Sequence, residues 1–324
     1  MIQENDEMSI QVLGTGAYLP EKIVTNDDLA QMVDTSDEWI RQRVGVVERR
    51  ISVNESAADM AVKAAQRALE AAGITADQLE LIVAATVSND ESCPGVGAQV
   101  QAAIGASCPA FDVNSACSGF LFALDTAAAF IARGGIRYAL VLGAERISRI
   151  LDWTDRATCI IFGDGAGAFV IAPGENYLTS HLFTKGSREE LYIPMDKGNS
   201  PFYEKEVAPL AVHMSGQATF KFAVRRIVDD INIVCDQIGI KPADLSYIVP
   251  HQANVRIIDF AAKKLGLPAE KFVVNIDKYG NTSSASVAIS FDELVRSGKL
   301  KKGDLIAMVA FGGGLSSAAC IIKW

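Results

Sequence analysis

The chain lacks the features that would set it apart from ordinary globular enzymes. Basic residues are outnumbered, with 30 Lys and Arg against 39 Asp and Glu in 324 residues, a net charge of −9. General nucleic-acid binding needs a basic surface for phosphate contacts, so that class is excluded and only a local basic patch remains open. No uncharged apolar run approaches the roughly 18 residues of a membrane span. The opening stretch Met1-Ile2-Gln3-Glu4-Asn5-Asp6-Glu7 is acidic where a secretory signal is basic and then apolar, so the cytoplasm is the expected location. Six cysteines, at 93, 108, 117, 159, 235 and 320, show no C-x-x-C spacing, and neither a disulfide framework nor a metal site is expected. The glycine-rich stretch Gly163 to Ala168 lacks the Lys-Ser/Thr ending of a phosphate loop and fits no dinucleotide fingerprint.

What is present is a pattern used twice. Gly73-Ile74, Leu79 and Ile82-Val83 recur as Gly239-Ile240, Leu245 and Ile248-Val249 at a constant offset of 166 (239 − 73). A helical pattern precedes each copy: Ala57, Met60, Ala61, Ala64, Ala68 and Ala72 in one, Phe222, Ile227, Ile231, Val234 and Ile238 in the other. A second echo, Gly135 to Val141 against Gly303 to Val309, has an offset of 168 (303 − 135). Continuous apolar strands such as Leu81 to Ala85 predict sheets covered by helices on both faces, hence an α/β class. We read an internally duplicated chain with halves 1–174 and 175–324. The Gly-, Pro-, Ser- and charge-rich stretch 185–216 is expected to cross over the active site or an interface.

Three segments place chemistry at the end of a strand. Cys117 follows the apolar run Ala110-Phe111-Asp112-Val113 and precedes a helical pattern beginning Ser118-Gly119-Phe120. A helix N-terminus offers free N–H groups that favour a thiolate and can hold an oxyanion. His251-Gln252-Ala253-Asn254 follows Tyr247-Ile248-Val249, and Gly280-Asn281-Thr282-Ser283 follows Phe272-Val273-Val274. Cysteine, histidine and asparagine form a known acyl-transfer set. On residue type alone His251 could equally be a satisfied core histidine, and Asn281 a turn residue.

Five motifs in order resemble the β-ketoacyl-acyl carrier protein synthase III enzymes of the thiolase-like superfamily. They are Thr35-Ser36-Asp37-Glu38-Trp39-Ile40, Asp112 to Phe120, Gly163 to Ala168, His251 to Asn254 and Gly280 to Ser283, and the likeness runs from Gly14-Thr15-Gly16 to Phe311-Gly312-Gly313-Gly314. The resemblance implies that Cys117 accepts an acyl group from coenzyme A, the thioester being substrate and no cofactor being needed. His251 and Asn281 then stabilise the enolate formed when malonyl-acyl carrier protein loses carbon dioxide, and the carbanion attacks acyl-Cys117. A neutral imidazole and an amide suit that task, because they donate to the enolate without an acid strong enough to quench it. The resemblance also implies an oxyanion hole from the backbone of Cys117 and Gly313, and an acyl pocket involving Phe162. It implies a homodimer, with Gly163 to Ala168 packed near its interface.

By the same resemblance Trp39 and Arg156 hold the adenine of coenzyme A, while Arg43 and Asn254 lie near its diphosphate and pantetheine. Arg256, Lys263 and Lys264 on a helix starting after Asn254, together with Lys221 on another, imply a docking face for the acidic carrier protein. Two departures stand out. Cys93 precedes Pro94 where similar enzymes often carry an aromatic residue reaching into the partner subunit's primer pocket, which predicts a reshaped acyl pocket and primers beyond acetyl. Gln217 stands where asparagine is common.

Three other readings compete. The order Cys117, His251, Asn281 is also that of papain-like hydrolases, but Ala116-Cys117-Ser118-Gly119-Phe120 lacks their signature. An acyltransferase of specialised metabolism would move the acyl group from Cys117 to an alcohol or amine. A non-catalytic carrier-protein-binding subunit would have no need of the three polar residues.

Overall fold

Every buried strand in the computed structural model carries apolar residues on both faces, and helices cover both. The structure describes residues 9–196, 199–204 and 206–324, so the acidic opening stretch lies outside the described residues. The first half runs β1 (Ser9–Tyr18), α1 (Ala57–Ala72), β2 (Leu81–Ala85), α2 (Val96–Ile104), β3 (Ala110–Val113), α3 (Gly119–Ala132), β4 (Ala139–Glu145) and β5 (Gly165–Gly174). The second runs β6 (Tyr177–Ser187), α4 (Gly216–Gln237), β7 (Tyr247–Pro250), α5 (Val255–Leu265), α6 (Ser286–Arg296), β8 (Leu305–Gly312) and β9 (Gly314–Lys323).

Strand order repeats between the halves. The first sheet is β1-β5-β4-β2-β3 and the second is β6-β9-β8-β7. A parallel bridge from Ile248 to Phe272 stands where β3 stands in the first sheet. Pairing is mixed in the same way: β2 runs parallel to β3 and β4, and β7 parallel to β8, whereas the β4–β5, β1–β5, β8–β9 and β6–β9 pairs are antiparallel. The architecture is therefore α/β with mixed sheets, and parallel pairing is confined to one side of each.

Period-2 alternation sorts the strand residues between one central core and two outer ones. Leu81, Val83 and Ala85 of β2 point inward with Ile306, Met308 and Ala310 of β8 onto α3 and α6, while Ile82 and Ala84 point outward onto α1. Ala307, Val309 and Ile321 pack outward under α4 and α5. Five layers result, with α3 and α6 in the middle. Phe169 of β5 joins the central helices, its ring centroid lying 4.9 Å from Phe120 on α3 and 4.9 Å from Phe291 on α6. Truncating such a fully buried ring costs about 3–5 kcal/mol.

Asp112, inside the cysteine motif, has a structural duty: its carboxylate accepts from the backbone N–H of Val96 and Gly97 at 2.7 Å each, capping α2. The glycine-rich stretch is packing, not a nucleotide loop. A Cβ on Gly163 would lie 2.2 Å from the Tyr279 carbonyl, and one on Gly167 2.5 Å from Ala288 of α6. These contacts are within the chain. Among the described residues no helix is long and apolar enough to cross a membrane.

Candidate active site

The central helices begin where the two sheets end, and their leading turns build the site. Ala116-Cys117-Ser118 and Ser283-Ser284-Ala285 are single 3-10 turns ahead of α3 and α6. Each starts with a non-glycine residue at positive φ, Ala116 at 46° and Ser283 at 48°. Such backbone costs of the order of 1–3 kcal/mol, and packing on both sides holds it here.

Cys117, His251 and Asn281 line one cavity of about 590 Å³. Phe162, Gly313 and Asn254 line it too. The stretch 185–216 contributes Leu191, Tyr192, Ile193, Met195 and Val212, so the expected excursion does cover the site.

Burial sets the charge state of each group. The Cys117 thiol is pushed up to about 12, first by desolvation; a hydrogen bond with Ser283 works against that rise, and the nearby Glu145 adds to it. Loss of water therefore works against the thiolate that the helix terminus favours. His251 is pushed down to about 3 by desolvation, so its ring is neutral.

Hydrogen bonds fix how the neutral groups are presented. His251 Nδ1 lies 2.5 Å from Ser286 Oγ. That oxygen also accepts from the Gln252 backbone N–H at 3.4 Å, and among the described residues the hydroxyl proton has no acceptor other than Nδ1, so Ser286 is assigned as donor to the ring. The ring proton then sits on Nε2. Phe311 packs edge-on against the imidazole, centroids 5.2 Å apart. Asn281 Oδ1 accepts from the Ser283 backbone N–H at 2.8 Å, so its amide NH₂ is the end left to donate. The Asn281 backbone is clamped by its N–H to the Ile161 carbonyl and by Gly163 N–H to its own carbonyl, at 2.9 and 3.0 Å.

Sequence reasoning missed Ser286, and it quoted Phe311 and Gly312 as part of a motif without giving either a role. A Cβ on Gly312 would lie 2.6 Å from the Cys117 backbone nitrogen, so only glycine leaves space over that N–H. Ser286 stands three residues beyond Ser283, where the Asn281 motif ends, and nothing local marked it.

The remaining expected residues divide. Trp39, Arg43 and Arg156 cluster, with the Arg156 and Arg43 guanidinium carbons 4.8 and 5.7 Å from the indole centroid, but none lines the cavity. A base sandwiched between two planes needs about 7 Å, twice a contact distance. Arg156, held by the Asp34 carbonyl at 2.6 Å, must therefore swing away to admit one. Asn254 caps α5 through the Arg256 N–H at 2.9 Å and donates to the Arg43 carbonyl at 3.0 Å. Arg256, Lys263, Lys264 and Lys221 are all exposed. Phe220 and Ile257, neighbours of Lys221 and Arg256, line the cavity, so the basic face borders its rim. Gln217 is exposed.

Cys93, expected at the partner subunit's primer pocket, stands at the surface of this chain. It is exposed and does not line this chain's cavity. Its loop is held outward by Asp90, which pairs with Arg146 at 2.8 Å and accepts from the Ala57 N–H at 2.9 Å. Among the described residues no group of three or more His, Cys, Asp or Glu could hold a metal ion.

Comparison with known proteins finds relatives that match nearly the whole chain. The family model for 3-oxoacyl-[acyl-carrier-protein] synthase III matches residues 111–186, and that for its C-terminal part matches 235–324. A β-ketoacyl-[acyl-carrier-protein] synthase III of Clostridium acetobutylicum is 48% identical over 321 residues, 98% of this chain and 99% of the relative. The crystal structure of 3-oxoacyl-[acyl-carrier-protein] synthase III from Aquifex aeolicus VF5 aligns with a TM-score of 0.91 at 43% identity, covering 97% of this chain and 100% of that one. The priming β-ketosynthase of the R1128 polyketide biosynthetic pathway aligns with a TM-score of 0.91 at 35% identity, over 99% of this chain and 98% of that one.

Proposed function

We propose, because this chain belongs to the β-ketoacyl-acyl carrier protein synthase III family, that Cys117, His251 and Asn281 divide its two half-reactions between them. The protein is an acyltransferase of the thiolase-like fold that initiates fatty acid synthesis by a decarboxylating condensation. The convergence of a sulfur, a neutral imidazole and a free carboxamide on one cavity carries the reading.

In the first half-reaction Cys117 attacks the carbonyl of an acyl-CoA, a carbon–sulfur bond forms, and coenzyme A leaves. The tetrahedral oxyanion is received by the N–H groups of Cys117 and Gly313, over which Gly312 leaves space. In the second, malonyl-acyl carrier protein takes the vacated cavity. Its thioester carbonyl accepts from His251 Nε2 and the Asn281 amide, and carbon dioxide departs as negative charge moves onto that oxygen. The α-carbon attacks the acyl-Cys117 carbonyl and releases the thiol as the β-ketoacyl product forms.

Ser286 supports this assignment, since its hydroxyl keeps the histidine proton on the nitrogen facing substrate. Trp39, Arg43, Arg156 and Asn254 bind coenzyme A along the cavity's outer edge. Arg256, Lys221, Lys263 and Lys264 receive the acidic carrier protein, Arg256 and Lys221 closest to the rim. We place the enzyme in the cytoplasm as a homodimer, where Cys93 borders the primer pocket of the second subunit and widens primer choice. One experiment tests the whole: incubate with acyl-CoAs of graded length and branching, weigh the acyl-enzyme, add malonyl-acyl carrier protein, and identify the product. A mass increase on Cys117 followed by carbon dioxide release and a β-ketoacyl product is expected. Transfer to an alcohol or amine without carbon dioxide would replace this reading with that of an acyltransferase of specialised metabolism.

A further inference from the structure

Glu145, the last residue of β4, is fully buried, and the mechanism above gives it no task. It does not line the cavity, but Val87 and Ser283, which it touches, and Ile147, two residues on, all do. Its carboxyl accepts from Ser284 Oγ at 2.7 Å, Ser283 Oγ at 3.1 Å, the Val87 N–H at 3.1 Å and Ser88 Oγ. A carboxylate has about four acceptor sites, so these donors fill it. Thr86 Oγ1 at 3.3 Å and the Ser284 N–H at 3.4 Å add longer contacts. None of the donors is a cation. Burial raises the carboxyl's pKa, and the hydrogen bonds work against that rise.

These donors come from both halves of the chain. Thr86-Val87-Ser88 follows β2, whereas Ser283-Ser284 belongs to the turn ahead of α6. Ser88 Oγ accepts from the Arg146 N–H at 2.8 Å and Thr86 Oγ1 from the Ser88 N–H at 3.2 Å, so both hydroxyl protons are left for Glu145. Backbone packing presses the same elements together: a Cβ on Gly143 of β4 would lie 2.8 Å from the Ser284 carbonyl.

The turn that Glu145 grips is strained and sets the direction of Asn281. Ser283 sits at φ 48°, a region that a residue with a side chain keeps only when its surroundings hold it there. In that conformation its N–H reaches Asn281 Oδ1 at 2.8 Å. That bond decides which end of the carboxamide faces substrate. Relaxation of Ser283 to negative φ turns the N–H away, and a carboxamide so released can offer its oxygen, an acceptor, to an enolate oxygen that needs a donor.

We infer that Glu145 is a positioning residue for condensation: it pins the Ser283-Ser284 turn, and the turn holds the Asn281 carboxamide with its NH₂ toward substrate. The inference rests on the synthase reading above, since it gives Asn281 its donor role. Two effects of the carboxyl have opposite signs here. A buried negative charge by itself opposes an enolate, so removing it speeds condensation if charge is all that matters. Loss of the pin slows condensation instead.

The test measures the two half-reactions separately in the full chain. Glu145→Gln keeps one acceptor oxygen but sets two N–H donors against a ring of donors. Condensation should fall about 10–10²-fold, the cost of a misplaced group, while acyl loading stays within about twofold. In an Asn281→Ala background the same change should cost nothing further, because the group being positioned is gone. A second pair of variants decides the matter if Glu145→Gln does not fold. Ser283→Ala and Ser283→Gly both remove the hydroxyl, but glycine takes φ 48° without strain, so condensation should be about tenfold faster in the glycine variant. Faster or unchanged condensation in Glu145→Gln, an equal fall in loading, the same cost without Asn281, or equal rates in the two Ser283 variants would each overturn the inference. A crystal structure of Glu145→Gln separates it from the reading it rests on. Ser283 at negative φ there supports the pin even if the native protein releases no carbon dioxide from malonyl-acyl carrier protein, a result that sinks the synthase reading alone.

Discussion

Ala116-Cys117-Ser118 ahead of α3 and Ser283-Ser284-Ala285 ahead of α6 share a backbone, down to a leading residue at φ near 47°, and stand 167 residues apart (283 − 116). Cys117 and Ser284 thus hold matching places in the two halves. Cys117 faces the cavity, whereas Ser284 Oγ turns to the Ala85 carbonyl at 3.0 Å and to Glu145. On the proposed mechanism the two matching turns take different tasks, one presenting the nucleophile and the other supporting it. Asn281 and His251 come from the supporting half alone.

Breaking that division gives the largest effect. Cys117→Ser should abolish acyl loading, by at least about 10⁴-fold as for loss of a catalytic nucleophile, and Ser284→Ala should leave a measurable acyl-enzyme; intact mass spectrometry checks both. Asn281→Ala should still load but lose about 10²–10³-fold in condensation, the cost of one donor to a developing oxyanion. Equal loss in both half-reactions would show that the halves do not divide the chemistry as described.

A sharper contrast comes from pH. Both Cys117 and His251 are driven to their neutral forms by burial, but only His251 does so within the acidic range. Its folded-state value of about 3 lies below the ordinary 6.5, so unfolding lets it bind a proton. Its contribution to stability is complete above pH 6.5 and is lost as pH falls towards 3, at about 1.4 kcal/mol per unit. Urea unfolding between about pH 6 and 4.5 should therefore show a shallower slope for His251→Ala, by one proton. The smallest effect lies at the rim. Arg256→Glu should raise the KM for carrier protein about fivefold, leave acyl-CoA loading unchanged, and reduce the salt response.

Much of this was legible in sequence because it was local. The 166-residue offset anticipated repeated strands, the alanine stripe anticipated α1, and the strand-to-helix junction located Cys117. What escaped was contact across the halves. Ser286 behind His251 and Glu145 behind Ser283 are separated by 35 and 138 residues from the groups they touch, and no spacing rule marks such pairs. The dry surroundings of Cys117 escaped for a related reason: a helix terminus is visible in sequence, but the burial that raises the thiol's pKa is assembled from both halves.

Since Cys117, His251 and Asn281 share a single chamber, the two half-reactions run like a turnstile. Coenzyme A must vacate before carrier protein can be served, which demands parallel double-reciprocal plots when both substrates are varied. Surplus coenzyme A should then rival malonyl-carrier protein for the acylated enzyme, tying the pace of chain initiation to the ratio of those two.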